Sequence, residues 1–200
     1  MRSPAAVLEQ IPGFTGAQLV TQLSDGPTNA SFEVEQSGDR YVLRIDKPAA
    51  AEYGLDRAAE LKVIEALSAA DLGKSPVYYD AGSGVYLRSF IPGRSWAEAD
   101  LQDSSNLEKL AALLNQVHQL SPVGREFDPV CSASRYAKQL GTAEAMAIFR
   151  EIENAFVSVE PDRFTLCHND LVHSNILESD RLLLIDWEWA GAGDPFFDLA

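Results

Sequence analysis

The sequence predicts an α+β fold of two lobes: a small antiparallel β-sheet with one helix, followed by a mainly helical lobe that carries a polar hairpin. In the first part of the chain, short segments alternate apolar and polar residues between turn signals, as strands do. Pro92-Gly93 interrupts that pattern, and apolar residues then recur at helical spacing. We therefore place the lobes at residues 1–91 and 92–200.

Five strands and one helix are expected in the first lobe. The turn cluster Asp25-Gly26-Pro27-Thr28-Asn29 separates the first two strands, and the turn Ser37-Gly38-Asp39 joins the second and third into a hairpin. Apolar residues near a 3.6-residue period predict the helix over Leu55–Leu67. The predicted strands are Ala17–Ser24, Ser31–Gln36, Tyr41–Ile45, Val77–Tyr79 and Val85–Ile91.

The second lobe contains the clearest amphipathic segment of the chain. An apolar stripe that starts at Leu107 predicts a helix over Leu107–Leu120, with Ser104 or Ser105 as its N-cap. The other predicted elements are a helical stretch over Ser134–Val159 that is interrupted near Gly141, a polar loop over Thr165–Asn175, and a hairpin of Asn175–Glu178 with Arg181–Ile185.

Charge and composition restrict the partners. The 200 residues carry 16 lysines and arginines against 30 aspartates and glutamates, a formal net charge of −14. Such acidity argues against a nucleic-acid partner and permits a cationic small substrate. No apolar run approaches the roughly 18 residues of a membrane span, and Met1–Gln10 lacks the apolar segment of a signal peptide. Because two cysteines make no disulfide framework, we expect a cytoplasmic protein. Because no apolar run is long enough to span a membrane, we expect no membrane partner.

The densest polar segment contains His168, Asp170 and Asn175 in the spacing H-x-D-x-x-x-x-N, and the apolar run Leu183–Ile185 then ends in Asp186. These residue types suit phosphoryl transfer, because an aspartate accepts a hydroxyl proton while amide and carboxylate oxygens bind Mg²⁺.

A second pattern that could indicate a phosphate site is discounted. The segment 72–75 ends in Gly-Lys-Ser but lacks the first glycine of a phosphate-binding loop, so we interpret it as an ordinary loop.

The motifs around Asp170 and Asp186 resemble the catalytic loop and metal-binding aspartate of protein-kinase-like small-molecule kinases, the aminoglycoside phosphotransferase and choline or thiamine kinase families. The resemblance spans about residues 17–200 and implies a bilobal protein-kinase-like fold. The other matching segments are Ser24–Phe32 for the nucleotide loop, Tyr41–Ile45 for the third strand, Phe90–Gly93 for the linker between lobes, and 186–200 for the segment that follows the metal ligand.

The resemblance assigns roles in catalysis and metal binding. Asp170 would be the catalytic base, Asn175 and Asp186 would hold Mg²⁺, and Glu188 would lie beside the metal. The two tryptophans that flank Glu188 are open to two interpretations, as a wall of a cationic-ligand pocket or as core residues.

The resemblance also assigns the nucleotide site. Arg44 would contact the phosphates and pair with Glu60 on the following helix, with Glu52 and Glu65 as nearby alternatives. The remaining ATP contacts would come from the nucleotide loop and from the backbone of the linker, at Gly26, Thr28, Asn29, Ser89 and Ile91.

The chain departs from protein kinases in having Arg44 in place of lysine and a single glycine, Gly26, in the nucleotide loop. An arginine here favours the choline and thiamine kinase branch, which implies ATP-dependent phosphorylation of a hydroxyl on choline, ethanolamine or thiamine. Members of the family continue with further helices, so a chain that stops at Ala200 implies an incomplete helical lobe. Three alternatives stay open: an aminoglycoside acceptor, a non-catalytic nucleotide-binding fragment, and a metal-dependent phosphohydrolase.

Overall fold

The computed structural model describes residues 2–156 and 164–199 and has the two-lobed α+β architecture expected from the sequence. Its helices are α1 (Pro4–Leu8), α2 (Arg57–Ala69), α3 (Ser104–His118), α4 (Pro129–Leu140) and α5 (Ala143–Phe156). Its strands are β1 (Gln18–Asp25), β2 (Asn29–Gln36), β3 (Asp39–Asp46), β4 (Tyr78–Asp80), β5 (Val85–Ser89), β6 (Arg94–Ser95), β7 (Arg125–Glu126), β8 (Thr165–Cys167), β9 (Ile176–Glu178), β10 (Leu182–Leu184) and β11 (Gly191–Gly193). Short 3-10 helices cover Pro48–Ala51, Glu98–Gln102, His173–Asn175, Trp187–Trp189 and Pro195–Leu199.

The first lobe is an antiparallel five-stranded sheet in the order β1-β2-β3-β5-β4. One face buries Leu43 and Leu87 in a core that Leu8 of α1 covers. Helix α1 was not expected, because five residues are too few to show a helical period. Since side chains alternate between the faces of a strand, Arg44 and Tyr86 lie on the opposite face, paired across β3 and β5.

Helix α2 belongs to the first lobe by sequence but packs in the core of the second. Asp56 caps it by accepting a hydrogen bond from the Ala59 backbone N–H. Val63 and Leu67 are buried in a cluster with Val117 of α3 and other residues of the second lobe. The helix therefore joins the two lobes and holds its polar residues between them.

The chain changes sheet directly after the linker. Strand β6 pairs with β9 in a three-stranded sheet that includes β10, so the first strand after the linker belongs to a different sheet from β5. A second sheet, β7-β11-β8, contains residues that the sequence interpretation placed in a polar loop. That interpretation was wrong for Thr165–Cys167, because Leu166 is completely buried and the segment pairs with β11.

Helix α3 differs from its prediction in its cap and in its buried face. Asp103, not Ser104 or Ser105, is the N-cap, and its carboxylate accepts a hydrogen bond from the Ser105 backbone N–H. Leu107, where the predicted stripe begins, is exposed, and Leu113 is buried in its place. The apolar face is therefore rotated toward the side that packs on β8 and β10.

The helical stretch predicted over Ser134–Val159 is two helices, of which the first starts at Pro129. They separate at Gly141, as expected, where φ of +64° gives the left-handed conformation that glycine adopts freely. Residues 157–159 of the predicted stretch lie outside the described residues. Within the described ranges, no helix combines the length and apolar character needed to cross a membrane.

Candidate active site

The catalytic loop predicted from the sequence starts at the buried end of β8. His168 is fully buried and forms a 2.9 Å hydrogen bond through Nε2 with the carbonyl oxygen of Ile185. Its ring packs against Trp187 with 4.5 Å between ring centroids. Burial lowers the pKa of His168, so the imidazole is neutral at physiological pH. The loop is thereby fastened to the segment that carries Asp186.

One carboxylate anchors the backbone of this loop. Asp198 Oδ1 accepts a 2.7 Å hydrogen bond from the Asn169 N–H, and its Oδ2 accepts a 2.9 Å bond from the His168 N–H. His118 of α3 lies 2.9 Å from the same Oδ2 through Nε2. We call Asp198, His118, His168 and Asn169 the loop brace. Asn169 has a φ of +62°, a conformation that asparagine tolerates better than most residues.

The three residues expected to carry the chemistry come together beyond the brace. The Asn175 amide nitrogen donates a 2.9 Å hydrogen bond to the Asp170 carbonyl oxygen and lies 3.4 Å from its carboxylate Oδ2. The amide oxygen of Asn175 is therefore left for another partner. Asp186 has a φ of +66° at the start of a 3-10 helix, and the charge of Asp170 contributes to raising its pKa.

Arg44 and Glu60 line a cleft together with Asp186. They form the ion pair expected from the sequence, and neither Glu52 nor Glu65 replaces Glu60 as the partner of Arg44. Two hydrogen bonds of 2.7 Å join the guanidinium to the carboxylate, and the hydroxyl of Tyr79 donates another of 2.7 Å to Glu60. Burial alone would raise the pKa of Glu60, but Arg44 outweighs it and lowers the pKa to about 2. The carboxylate is thus ionised and holds Arg44 3.7 Å from Asp186 Oδ1.

Arg57 was missed by the sequence interpretation and is the most connected cation of the site. It donates hydrogen bonds of 2.8 and 2.7 Å to Asp46, of 2.8 Å to Glu60, and of 3.1 Å to Glu188. Its position three residues before Glu60 on α2 is the signal that could have identified it. We call Arg44, Asp46, Arg57, Glu60, Asp186 and Glu188 the charged network.

The nucleotide loop is attached to this network through Glu188. Its carboxylate accepts a 3.2 Å hydrogen bond from the Thr28 hydroxyl and a 2.9 Å bond from the Asn29 amide. Lys47 secures the loop from the other side, with a 2.6 Å bond to the Gly26 carbonyl oxygen. The side chains of Thr28 and Asn29 are therefore engaged with Glu188, which the sequence did not reveal.

The donor set of the site suits Mg²⁺. In the charged network two guanidiniums face four carboxylates, which leaves an excess of negative charge. Desolvation raises the pKa values of Asp186 and Glu188, and the charge of Asp186 raises that of Glu188 further. Hard oxygen donors with uncompensated charge are what a divalent cation requires. Asn175 and Asp186, the predicted ligands, therefore fit this ion.

The cleft continues from Asp186 to the linker between the lobes. Ile91 lines it together with Leu67 and Leu183, and Ser89 lies in the adjoining groove at its mouth. Residues that the sequence did not identify also line the cleft, namely Lys74, Tyr86 and Arg88. Lys74 comes from the segment 72–75, which is a loop as interpreted but reaches this cleft.

The two tryptophans after Asp186 differ in their surroundings. Trp187 is buried in the core and donates a 3.1 Å hydrogen bond to the Leu184 carbonyl oxygen, and it also contributes to the lining of the cleft beside Asp186. The guanidinium of Arg125 lies 5.2 Å from the ring centroid of Trp189. A protein cation therefore already occupies one face of this ring.

Comparison with known proteins gives a family match over most of the chain. A model described as "Phosphotransferase enzyme family" matches residues 19–200. The chain is 31% identical over 192 residues to protein LicA of Haemophilus influenzae, which covers 88% of this chain and 55% of that protein. It is 28% identical over 190 residues to thiamine kinase of Escherichia coli strain SMS-3-5, which covers 90% of this chain and 64% of that protein. The chain thus spans between half and two thirds of the length of these relatives.

Among solved structures, LicA in complex with AMP superposes with a TM-score of 0.78 at 22% sequence identity, covering 97% of this chain and 71% of that one. This likeness confirms the protein-kinase-like fold with an antiparallel sheet and a helical lobe.

Proposed function

We propose that this chain, which belongs to the phosphotransferase enzyme family, transfers the terminal phosphoryl group of ATP to a hydroxyl of a small molecule. The observation that carries the proposal is the convergence of Asp170, Asn175 and Asp186 across a cleft from the Arg44–Glu60 pair. A base, a pair of oxygen ligands and a fixed cation are the parts that phosphoryl transfer needs.

Each group has a distinct task in this proposal. The Asp170 carboxylate accepts the proton of the attacking hydroxyl, and its position depends on the loop brace below it. Asn175 and Asp186 would hold Mg²⁺, which supplies positive charge to the phosphate oxygens when bound. Arg44 contacts the phosphates from the sheet, and Glu60 keeps its guanidinium in place.

The nucleotide would lie along the cleft toward the linker. We place the base against Ile91, with the backbone of Ser89 and Ile91 as its hydrogen-bonding edge, and the phosphates under the loop that contains Gly26, Thr28 and Asn29. The AMP complex of a LicA protein with the same fold supports an adenine nucleotide in this chain.

We propose an amino alcohol or thiamine as the acceptor, of the choline, ethanolamine or thiamine type. The thiamine kinase among the relatives supports this class, as does a net charge of −14, which favours a cationic substrate. A domain of such acidity must hold the phosphates through local cations, which Arg44 provides.

The test is to incubate the protein with Mg·ATP and one of several alcohols, and to follow ADP release. The panel contains choline, ethanolamine, thiamine and an aminoglycoside. We expect acceptor-dependent ADP release that Asp170→Ala lowers by roughly 10²- to 10⁴-fold, the usual contribution of a general base. Asp39→Ala, which removes an exposed aspartate at the start of β3, is the matched control and should leave the rate unchanged.

The other outcomes decide between the alternatives. Nucleotide binding without turnover on any acceptor would identify a non-catalytic nucleotide-binding protein. Release of phosphate from monoesters without ATP would identify a phosphohydrolase. Turnover restricted to the aminoglycoside would retain the reaction and replace the acceptor.

A further inference from the structure

Arg88 contributes a guanidinium to the nucleotide cleft. It lies on β5, and its side chain lines the cleft with Tyr86, Lys74 and Ile91. Whereas Arg44 and Arg57 each pair with carboxylates, Arg88 makes no ion pair with any residue in the described ranges 2–156 and 164–199. Desolvation lowers its pKa, yet an arginine side chain stays charged at neutral pH. A half-buried guanidinium with no carboxylate at ion-pair distance is a group that a ligand can satisfy.

The hydrogen bond that Arg88 does make indicates which part of a ligand it would meet. Its Nη1 donates to the carbonyl oxygen of Ser89 at 3.2 Å. The same carbonyl belongs to the linker backbone that we assigned to the base. The 6-amino group of adenine bound at this edge would donate to the same oxygen, so the 6-position of a purine in this pose lies close to the guanidinium.

The two kinds of purine respond to such a neighbour in opposite ways. Arginine offers donors and no acceptor. The 6-amino group of adenine is also a donor, so it competes with Arg88 for the Ser89 carbonyl and gains nothing from the guanidinium. The 6-oxo group of guanine or hypoxanthine is an acceptor, and arginine pairs with guanine through this oxygen and N7 in other recognition sites.

We infer that Arg88 determines nucleotide specificity and that it lets the site take 6-oxopurine triphosphates, the class of GTP and ITP, at least as well as ATP. The inference rests on the proposed function for the location of the base. It extends that function from an ATP site to a site whose phosphoryl donor is set by one side chain on β5.

The test measures binding of the Mg²⁺ complexes of ATP, ITP and GTP by calorimetry, without an acceptor. ITP is the decisive ligand, because it differs from ATP only at position 6 and the adjoining N1 proton. We expect ITP to bind the unaltered protein at least as tightly as ATP, and Arg88→Met to lower the ITP-to-ATP affinity ratio by about tenfold. Arg88→Lys, which keeps a donor, should retain part of the ratio. Arg150→Gln, on an exposed position of α5, is the matched control and should retain all of it.

Each result bears on the inference. A tenfold preference of the unaltered protein for ATP over ITP would overturn it, even if Arg88→Met did not fold. An unchanged ratio in a folded Arg88→Met protein would overturn it as well, and in both cases the phosphotransferase proposal would stand. If the unaltered protein bound none of the three nucleotides, both proposals would fail together.

Discussion

The charged network and the loop brace hold the two sides of one cleft by different means. In the network, side chains pair with side chains, and Arg57 alone contacts three carboxylates from three separate segments. In the brace, a single carboxylate, Asp198, receives two backbone N–H groups of the catalytic loop. Both are largely buried, with Asp186 the exposed member of the network, but the network depends on the balance of many charges and the brace on one acceptor.

This difference predicts different responses to change. A buried ion-pair network is sensitive to the loss of any member, because each loss leaves a partner charged and unpaired in a desolvated place. A backbone-anchored loop loses its geometry when the acceptor is removed, while the charges around it stay balanced. Substitutions in the two regions should therefore separate effects on stability from effects on activity.

The largest effect is expected for Glu60→Ala. It would leave both Arg44 and Arg57 without a carboxylate that each now contacts, which we expect to cost about 3–5 kcal/mol of unfolding free energy. The pKa of Glu60 is lowered to about 2 in the folded state, so its contribution to stability is fully present above the unfolded-state pKa and is lost as the pH falls from there through about 2. The difference between variant and unaltered protein in urea unfolding should be constant near neutral pH and shrink in acid.

Leu67→Ala on the same helix serves as the control for this pH dependence. It removes buried apolar volume without a titratable group, so its loss of stability should not vary with acidity in this way. If the penalty of Glu60→Ala had the same pH profile as that of Leu67→Ala, the ionised Glu60 would not be what stabilises the network.

Asp198→Ala should come next, at about 2–3 kcal/mol, because two backbone N–H groups lose their acceptor in the interior. We expect phosphotransfer to fall by at least about tenfold, since a misplaced base loses most of its benefit. Asp198→Asn keeps one acceptor oxygen and should lie between the two proteins in both melting temperature and rate. Equal rates for all three folded proteins would show that the catalytic loop keeps its shape without the brace.

The two regions also differ in how far the sequence predicted them. The residues proposed for catalysis and metal binding lie between positions 170 and 186, where their spacing is itself the signal, and the structure brings Asp170, Asn175 and Asp186 close together. The family resemblance implied the Arg44–Glu60 pair, which joins strand β3 to the next α-helix, α2. The bond from Arg57 to Glu188 and the engagement of Thr28 by Glu188 join residues over 130 positions apart, which no local pattern encodes.

The errors in the fold have a similar origin. The period of α2 was visible, but the core in which it packs is set by the second lobe. Thr165–Cys167 was taken for loop because polar residues follow it, and its strand becomes evident only through pairing with β11. Local chemistry was predictable, whereas the choice of partners required the tertiary structure.

A moderate effect is expected for Arg57→Lys. Lysine keeps the charge but cannot hold Asp46, Glu60 and Glu188 at once, because it lacks the planar arrangement of donors. We expect a loss of about 1–2 kcal/mol and a raised KM for ATP, since Glu188 would hold the nucleotide loop with one partner fewer. Arg40→Lys changes an exposed arginine that pairs with Glu33 and should leave both quantities unaltered. A loss of stability with an unchanged KM would confine Arg57 to a structural role.

The smallest effect concerns the uncompensated charge of the network at Asp186. Desolvation raises the pKa of this carboxyl, so the penalty for ionising it is absent below its unfolded-state pKa and grows as the pH rises through the higher folded-state pKa. Its side chain is 40% exposed, which limits the penalty. Millimolar Mg²⁺ should therefore raise the melting temperature by a few degrees at neutral pH, compared with NaCl of equal ionic strength, and by less as the pH approaches 4.

The Asp186→Asn variant tests whether this carboxylate binds the cation. Without metal it should melt at a slightly higher temperature than the unaltered protein. It should also lose most of its response to Mg²⁺ and lose phosphotransfer. An undiminished Mg²⁺ response in Asp186→Asn would place the cation elsewhere, and the excess of carboxylates in the network would then need another explanation.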